Sequence, residues 1–198
     1  MDYFAEACSG GLMIICVEGP DGFGKSTLCA SLSKSLNAEL IKFPNEDFES
    51  GKRLRQIINK EYSFEPMSFQ ALQIINRLET FETLDPTKDY IFDRGKLSGI
   101  VYALTDGLPE NWVRKVSDYI TDADITVIIT GRSYREDNDI YSDSEYQKRI
   151  RQLYMGEGKR VCGRVVWVCN YNSPEKMLEM VLMELGRAMF VKVMMGRL

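Results

Sequence analysis

Gly19-Pro20-Asp21-Gly22-Phe23-Gly24-Lys25-Ser26-Thr27 is the segment from which the architecture of this chain can be worked out. It follows the apolar run Leu12-Met13-Ile14-Ile15-Cys16-Val17 and precedes Leu28-Cys29-Ala30-Ser31-Leu32. A G-x-x-x-x-G-K-[ST] pattern forms a phosphate-binding loop when a buried strand enters it and a helix leaves it, and both flanks here have that character. The glycines let successive N–H groups turn inward as an anion nest, the following helix adds partial positive charge at its N-terminus, and Lys25 adds a full charge. Ser26 stands where it can ligate Mg²⁺. The loop alone leaves the phosphate acceptor open.

The chain has 198 residues, a net charge of −4 and 44% hydrophobic residues, which suits one α/β domain spanning 1–198. Lys and Arg are scattered rather than clustered, which argues against nucleic acid or an anionic membrane as the main partner and for a small ligand. The N-terminus has no basic leader and its apolar run is too short to span a bilayer, so a cytoplasmic protein is expected. The five cysteines lack metal-like spacing and read as reduced thiols. There is no histidine, which removes imidazole bases and His ligands; catalysis must rest on carboxylates, Lys, Arg and metal.

Helical spacing of Leu28, Leu32 and Leu36 continues the loop into a helix that Asn37 stops. Glu39 to Phe43 reads as a short strand ended by Pro44, and Lys52 to Asn59 as a helix. Pro66 opens another helix, on which Phe69, Leu72, Ile75 and Leu78 form an apolar face. Tyr90-Ile91-Phe92 is a third strand ending at Asp93-Arg94. Helices follow over 97–104 and 109–120, then the β-branched strand Ile125 to Ile129. Residues 131–143 are polar and irregular, a candidate lid. A helix over 144–154, a strand over 165–169 and a helix capped by Ser173 complete the chain. The alternation predicts a three-layer α/β/α fold around a five-stranded parallel sheet, with the site at the carboxyl ends of the strands.

The order of motifs resembles the thymidylate kinase family from the first strand to about Tyr154. Glu18-Gly19-Pro20-Asp21-Gly22-Phe23-Gly24-Lys25-Ser26 is similar to that family's phosphate loop. Phe43-Pro44, Gly51-Lys52, Asn76-Arg77-Leu78-Glu79, Asp93-Arg94-Gly95-Lys96-Leu97-Ser98-Gly99 and the lid pairs Tyr141-Ser142 and Tyr146-Gln147 follow in the family's order. The resemblance implies ATP- and Mg²⁺-dependent phosphoryl transfer to a deoxynucleoside monophosphate, most readily dTMP, and a homodimer. A deoxynucleoside kinase using Glu46 or Asp47 as base, a monophosphate kinase of altered base specificity and a non-catalytic nucleotide-binding module are the rivals.

On this reading Gly19, Gly22, Phe23, Gly24, Lys25, Ser26 and Thr27 bind ATP, and Ser26 and Asp93 hold the metal. Lys25, Asp93, Arg94, Arg132 and Arg135 are the catalytic candidates, with the two lid arginines supplying charge that Gly22 does not. Acids 136, 137 and 139 could equally pair with those arginines. Two phosphates need cations between them, and Arg77 and Arg94 are the acceptor-side clamps; Arg77 could instead be a solvated arginine on an exposed helix face. Asp21 is implied to face the acceptor sugar. Phe43, Ile58, Ser98, Tyr102 and Tyr141 complete the acceptor side, although the apolar and aromatic ones could also be core. Gln73, Glu46, Gly95 and Ile140 depart from the family's pattern, mainly on that side.

Overall fold

A computed structural model describes residues 12–133, 145–161, 163–171 and 173–195. The strands are β1 (Ile14–Glu18), β2 (Glu39–Lys42), β3 (Tyr90–Asp93), β4 (Ile125–Thr130) and β5 (Arg164–Cys169). The helices are α1 (Lys25–Leu36), α2 (Glu49–Ile58), α3 (Pro66–Glu82), α4 (Lys96–Thr105), α5 (Glu110–Ser117), α6 (Glu145–Glu157) and α7 (Pro174–Met195). All strand pairs are parallel, in the order β2-β3-β1-β4-β5.

β1 is buried along its whole length and lies between β3 and β4. Its alternation sorts the core: Ile15 and Val17 face a layer containing Leu28, Leu32, Val181 and Leu185, whereas Ile14 and Cys16 face Phe43, Tyr90 and Phe92. Two carboxylates fix the start of this strand, Asp89 accepting from the Met13 N–H at 2.9 Å and Asp124 from the Ile14 N–H at 2.8 Å. The chain moves from β1 outward to β2, returns to β3, and then crosses to β4, so the direction of winding changes beside β1. A crevice at the carboxyl ends is the result, and the phosphate loop opens into it.

Asn37 ends α1 in the left-handed conformation, with φ 52°, and Ser173 caps α7 by accepting the Lys176 N–H at 3.3 Å. The expected apolar face of α3 is not its inner face. Gln70, Asn76, Arg77 and Thr80 are the buried residues, while Ile75 is 48% exposed. The polar residues repeat with the same helical period as the apolar ones, and Asn76 and Arg77 among them reach the site together with Phe69.

Candidate active site

Tight backbone geometry shapes the phosphate loop. Gly22 and Gly24 have φ of 77° and 85°, a region open to glycine at no steric cost. Gly19 acts differently, because a Cβ there would lie 2.8 Å from the Ile129 carbonyl oxygen; this glycine lets the loop pack on β4 and does not line the cavity. Phe23 is likewise a core residue at 2% exposure, contributing only backbone to the loop.

Lys25 is buried, its Nζ donating to the Pro20 carbonyl at 2.6 Å and lying 3.9 Å from Asp21. Burial, with Arg94 nearby, lowers its pKa to about 8 against the opposing pull of Asp21, Asp93 and Glu18. Ser26 and Asp93 meet as predicted, the hydroxyl donating to Asp93 Oδ2 at 2.7 Å. A hydroxyl and a carboxylate at the loop's mouth are hard oxygen donors of the kind Mg²⁺ prefers.

The acceptor side is a cavity of about 610 Å³. The same cavity runs from the phosphate loop to the acceptor candidates: Asp21, Lys25, Ser26 and Thr27 line one end with Asp93, and Phe43, Ile58, Arg77, Arg94, Ser98 and Tyr102 line the rest. Asp21 joins the two halves: its carboxylate accepts from Arg94 Nη2 and, at 2.8 Å, from the Tyr102 hydroxyl. Burial pushes the Asp21 carboxyl up, but Arg94, Lys25 and these hydrogen bonds outweigh it and hold it below the ordinary carboxylate range.

Arg94 leaves β3 with a left-handed backbone, φ 76°, which turns its guanidinium back over the cleft. Nη1 donates to Ser98 Oγ at 3.2 Å, and the guanidinium stacks 5.3 Å from the Tyr102 ring. Ser98 is tied inward: its N–H donates to Glu18 Oε1 at 3.1 Å, its hydroxyl donates to Oε2, and it shares a 2.8 Å bond with Tyr154. Ser98 therefore serves first to hold α4 and Arg94 on the end of β1.

Arg77 is not a solvated arginine. It is 4% exposed, over the Phe43 ring, and burial lowers its pKa to about 10. Asn76 beside it anchors the strand-end loop, Oδ1 accepting from the Asn45 N–H at 2.8 Å and Nδ2 donating to the Asn45 carbonyl and to Ser50, both at 2.9 Å.

Arg132 stands apart from the cavity. Asn170 brackets its backbone, accepting from the Arg132 N–H at 2.9 Å and donating to its carbonyl at 2.5 Å, and the guanidinium lies 5.8 Å from the Tyr171 ring. Arg135 and Tyr141 lie outside the described residues, as does most of the expected lid. Glu46, a rival base, pairs with Arg55 Nε at 2.8 Å and does not line the cavity. Arg55 does line it, as do Lys42 and Tyr146. The sequence signals Arg55 only through a basic run on the predicted second helix, and Glu18, Tyr154 and Asn170 only as core or loop residues.

A phosphate loop facing a cation-rich acceptor cavity at the winding change of a parallel sheet defines a nucleoside monophosphate kinase of the phosphate-loop class. A sequence model of the thymidylate kinase family matches residues 17–181, and the chain belongs to that family. A protein of Methanococcus maripaludis named probable thymidylate kinase is 29% identical over 152 residues, 71% of this chain and 74% of that one. The fold is shared with thymidylate kinase from Ehrlichia chaffeensis, with TM-score 0.73 and 22% identity over 89% of this chain and 100% of that one. Thymidylate kinase from Candida albicans also gives TM-score 0.73, with 21% identity over 90% and 93% of the two chains. No helix among the described residues is long and apolar enough to cross a membrane.

Proposed function

We propose that this chain transfers the γ-phosphoryl group of ATP to dTMP, giving ADP and dTDP. The observation that carries the reading is Asp21: a carboxylate inside the donor loop accepts hydrogen bonds from Arg94 and Tyr102, so the donor loop and the acceptor-side residues are joined in one cleft. A phosphate oxygen of dTMP forms the new bond to the γ-phosphorus as the bond to the β–γ bridging oxygen breaks, and ADP leaves with that electron pair. The loop N–H groups and Lys25 hold the donor. Arg94 and Arg77, which both line the cavity, would offset repulsion between the two phosphates, the main cost of bringing them in line.

Ser26 and Asp93 are the residues that would hold Mg²⁺. When bound, the ion supplies neutralisation of the donor phosphates. A monophosphate acceptor is favoured over a nucleoside by the engagement of Glu46 with Arg55, which leaves it off the cavity and unable to deprotonate a 5′-hydroxyl there. The outward face of α3, with Met67 and Ile75 exposed at 43% and 48%, supports a homodimer. Incubation with ATP and either dTMP or thymidine, followed by chromatography of the products, tests the assignment. Formation of dTDP from dTMP is expected; conversion of thymidine with dTMP left untouched would overturn it.

A further inference from the structure

Lys25, Lys42, Arg55, Arg77 and Arg94 are the cations that line the cavity among the described residues, and they differ in what their nitrogens already hold. Lys25 donates to the Pro20 carbonyl and lies beside Asp21. Arg94 donates to Asp21, Ser98 and Tyr154, and both terminal nitrogens of Arg77 donate to Gln73. Arg55, on α2, is held at one point: its Nε donates to Glu46 Oε1 at 2.8 Å, and neither terminal nitrogen makes a hydrogen bond to any described residue. The loop after β2 sets this up. Asn76 seats the Asn45 backbone, and the next residue, Glu46, reaches across to α2. Glu46 does not line the cavity, so its carboxylate braces the guanidinium without facing a bound anion.

We propose that Arg55 binds the phosphate of the acceptor nucleotide, with Glu46 as its positioning residue. The terminal N–H groups of a guanidinium form a planar fork that matches two oxygens of one phosphate, and a carboxylate on Nε fixes the plane while leaving that fork open. Among the described residues Arg55 is the one arginine lining the cavity with both terminal nitrogens uncommitted, so it can take up a phosphate without breaking an internal bond. Its wall also adjoins the reacting end of the cleft. Lys42 is paired with Asp93 in the sheet register, and the Phe43 N–H donates to the Asp93 carbonyl at 3.1 Å, which sets the end of β2 beside Asp93-Arg94. Lys42 on the same wall offers charge without a fork.

The inference rests on the monophosphate kinase reading, and the test separates the two. kcat and KM for dTMP and KM for ATP are measured for the wild-type chain, Arg55→Ala, Arg55→Lys, Glu46→Ala and the Glu46→Ala/Arg55→Ala double variant. Arg55→Ala should raise the KM for dTMP about tenfold and leave the KM for ATP unchanged, as expected for lost hydrogen bonds to a charged group. Arg55→Lys should recover only part of the loss, because an ammonium keeps the charge and lacks the fork. Glu46→Ala should raise the KM for dTMP about threefold when Arg55 is present and have no effect when it is absent, the coupling of a residue that acts through its neighbour. An exposed ion pair with no ligand contributes little, so an unchanged KM for dTMP in Arg55→Ala would overturn the inference. Equal rises in KM for ATP and dTMP would overturn it too, and a Glu46→Ala effect that persists in the double variant would remove Glu46 from it. No turnover of any monophosphate by the wild type would overturn both the inference and the kinase reading.

Discussion

Asn76→Ala offers a demanding check on how the acceptor side is built. Asn76 is 1% exposed and spends its side chain on three hydrogen bonds, two to the Asn45 backbone and one to Ser50. Those bonds seat the loop after β2 on α2, where a Cβ on Gly51 would come within 1.8 Å of the Asn45 carbonyl oxygen. Truncation leaves the Asn45 N–H and C=O without these partners. Each orphaned group costs about 1–3 kcal/mol, and because Asn45 is only half-buried the lower half of that range applies, about 2–4 kcal/mol in all. In a chain of 198 residues this lowers Tm by roughly 5–15 °C. Phe43 and Pro44, which line the cavity, lose their support, so the KM for dTMP should rise about tenfold or more. The phosphate loop is held by β1 and β4 and takes no bond from Asn76, so the Kd for ADP should hold. Urea unfolding, steady-state kinetics and ADP titration read the three quantities. A stability loss below about 1 kcal/mol, or equal losses in ADP affinity and dTMP use, would show that Asn76 does not support the acceptor wall in this way.

Other perturbations separate the remaining parts. Lys25 is held at about 8 in the free protein and its protonated form binds phosphate, so metal-free ADP affinity should fall as pH rises through 8, by up to about tenfold per pH unit; Lys25→Arg should flatten the profile in a calorimetric titration. Leu32→Ala removes a fully buried side chain between α1 and the sheet and should cost about 2–5 kcal/mol in urea unfolding. Arg94→Ala should depress turnover with dTMP far more than ADP affinity, since Arg94 bonds to Asp21 and Ser98 on the acceptor side. Ile75→Asp on the exposed face of α3 should yield monomers in sedimentation if that face joins two copies.

Residues that act through local geometry are legible in the sequence. The phosphate loop, the Asp93-Arg94 strand end and the Asn37 and Ser173 caps each depend on a few consecutive positions, and all fall where the pattern puts them. The inner face of α3 is not legible, for a physical reason. Gln70, Asn76, Arg77 and Thr80 are buried because each meets a neighbouring element or the cavity: Gln70 donates to the Gly99 carbonyl, Asn76 and Thr80 bond to Asn45, and Arg77 lines the cavity, while the apolar Met67 and Ile75 stay exposed. The Glu18–Ser98–Tyr154 bonds and the Asn170 bracket around Arg132 join residues far apart in the chain, for which no periodicity gives a signal. The Arg132 guanidinium lies near the Tyr171 ring, and most of the expected lid that follows it is outside the described residues. Gly19 reads as a phosphate contact because the motif contains it, yet its neighbour Ile129 comes from the distant β4.

Direct phosphoryl transfer from ATP to dTMP fixes the stoichiometry of the products, which chromatography can measure in one reaction. With ATP and Mg²⁺, ADP should form only when dTMP is added, and ADP and dTDP should appear in equal amounts. Release of ADP at the same rate with and without dTMP would rule direct transfer out.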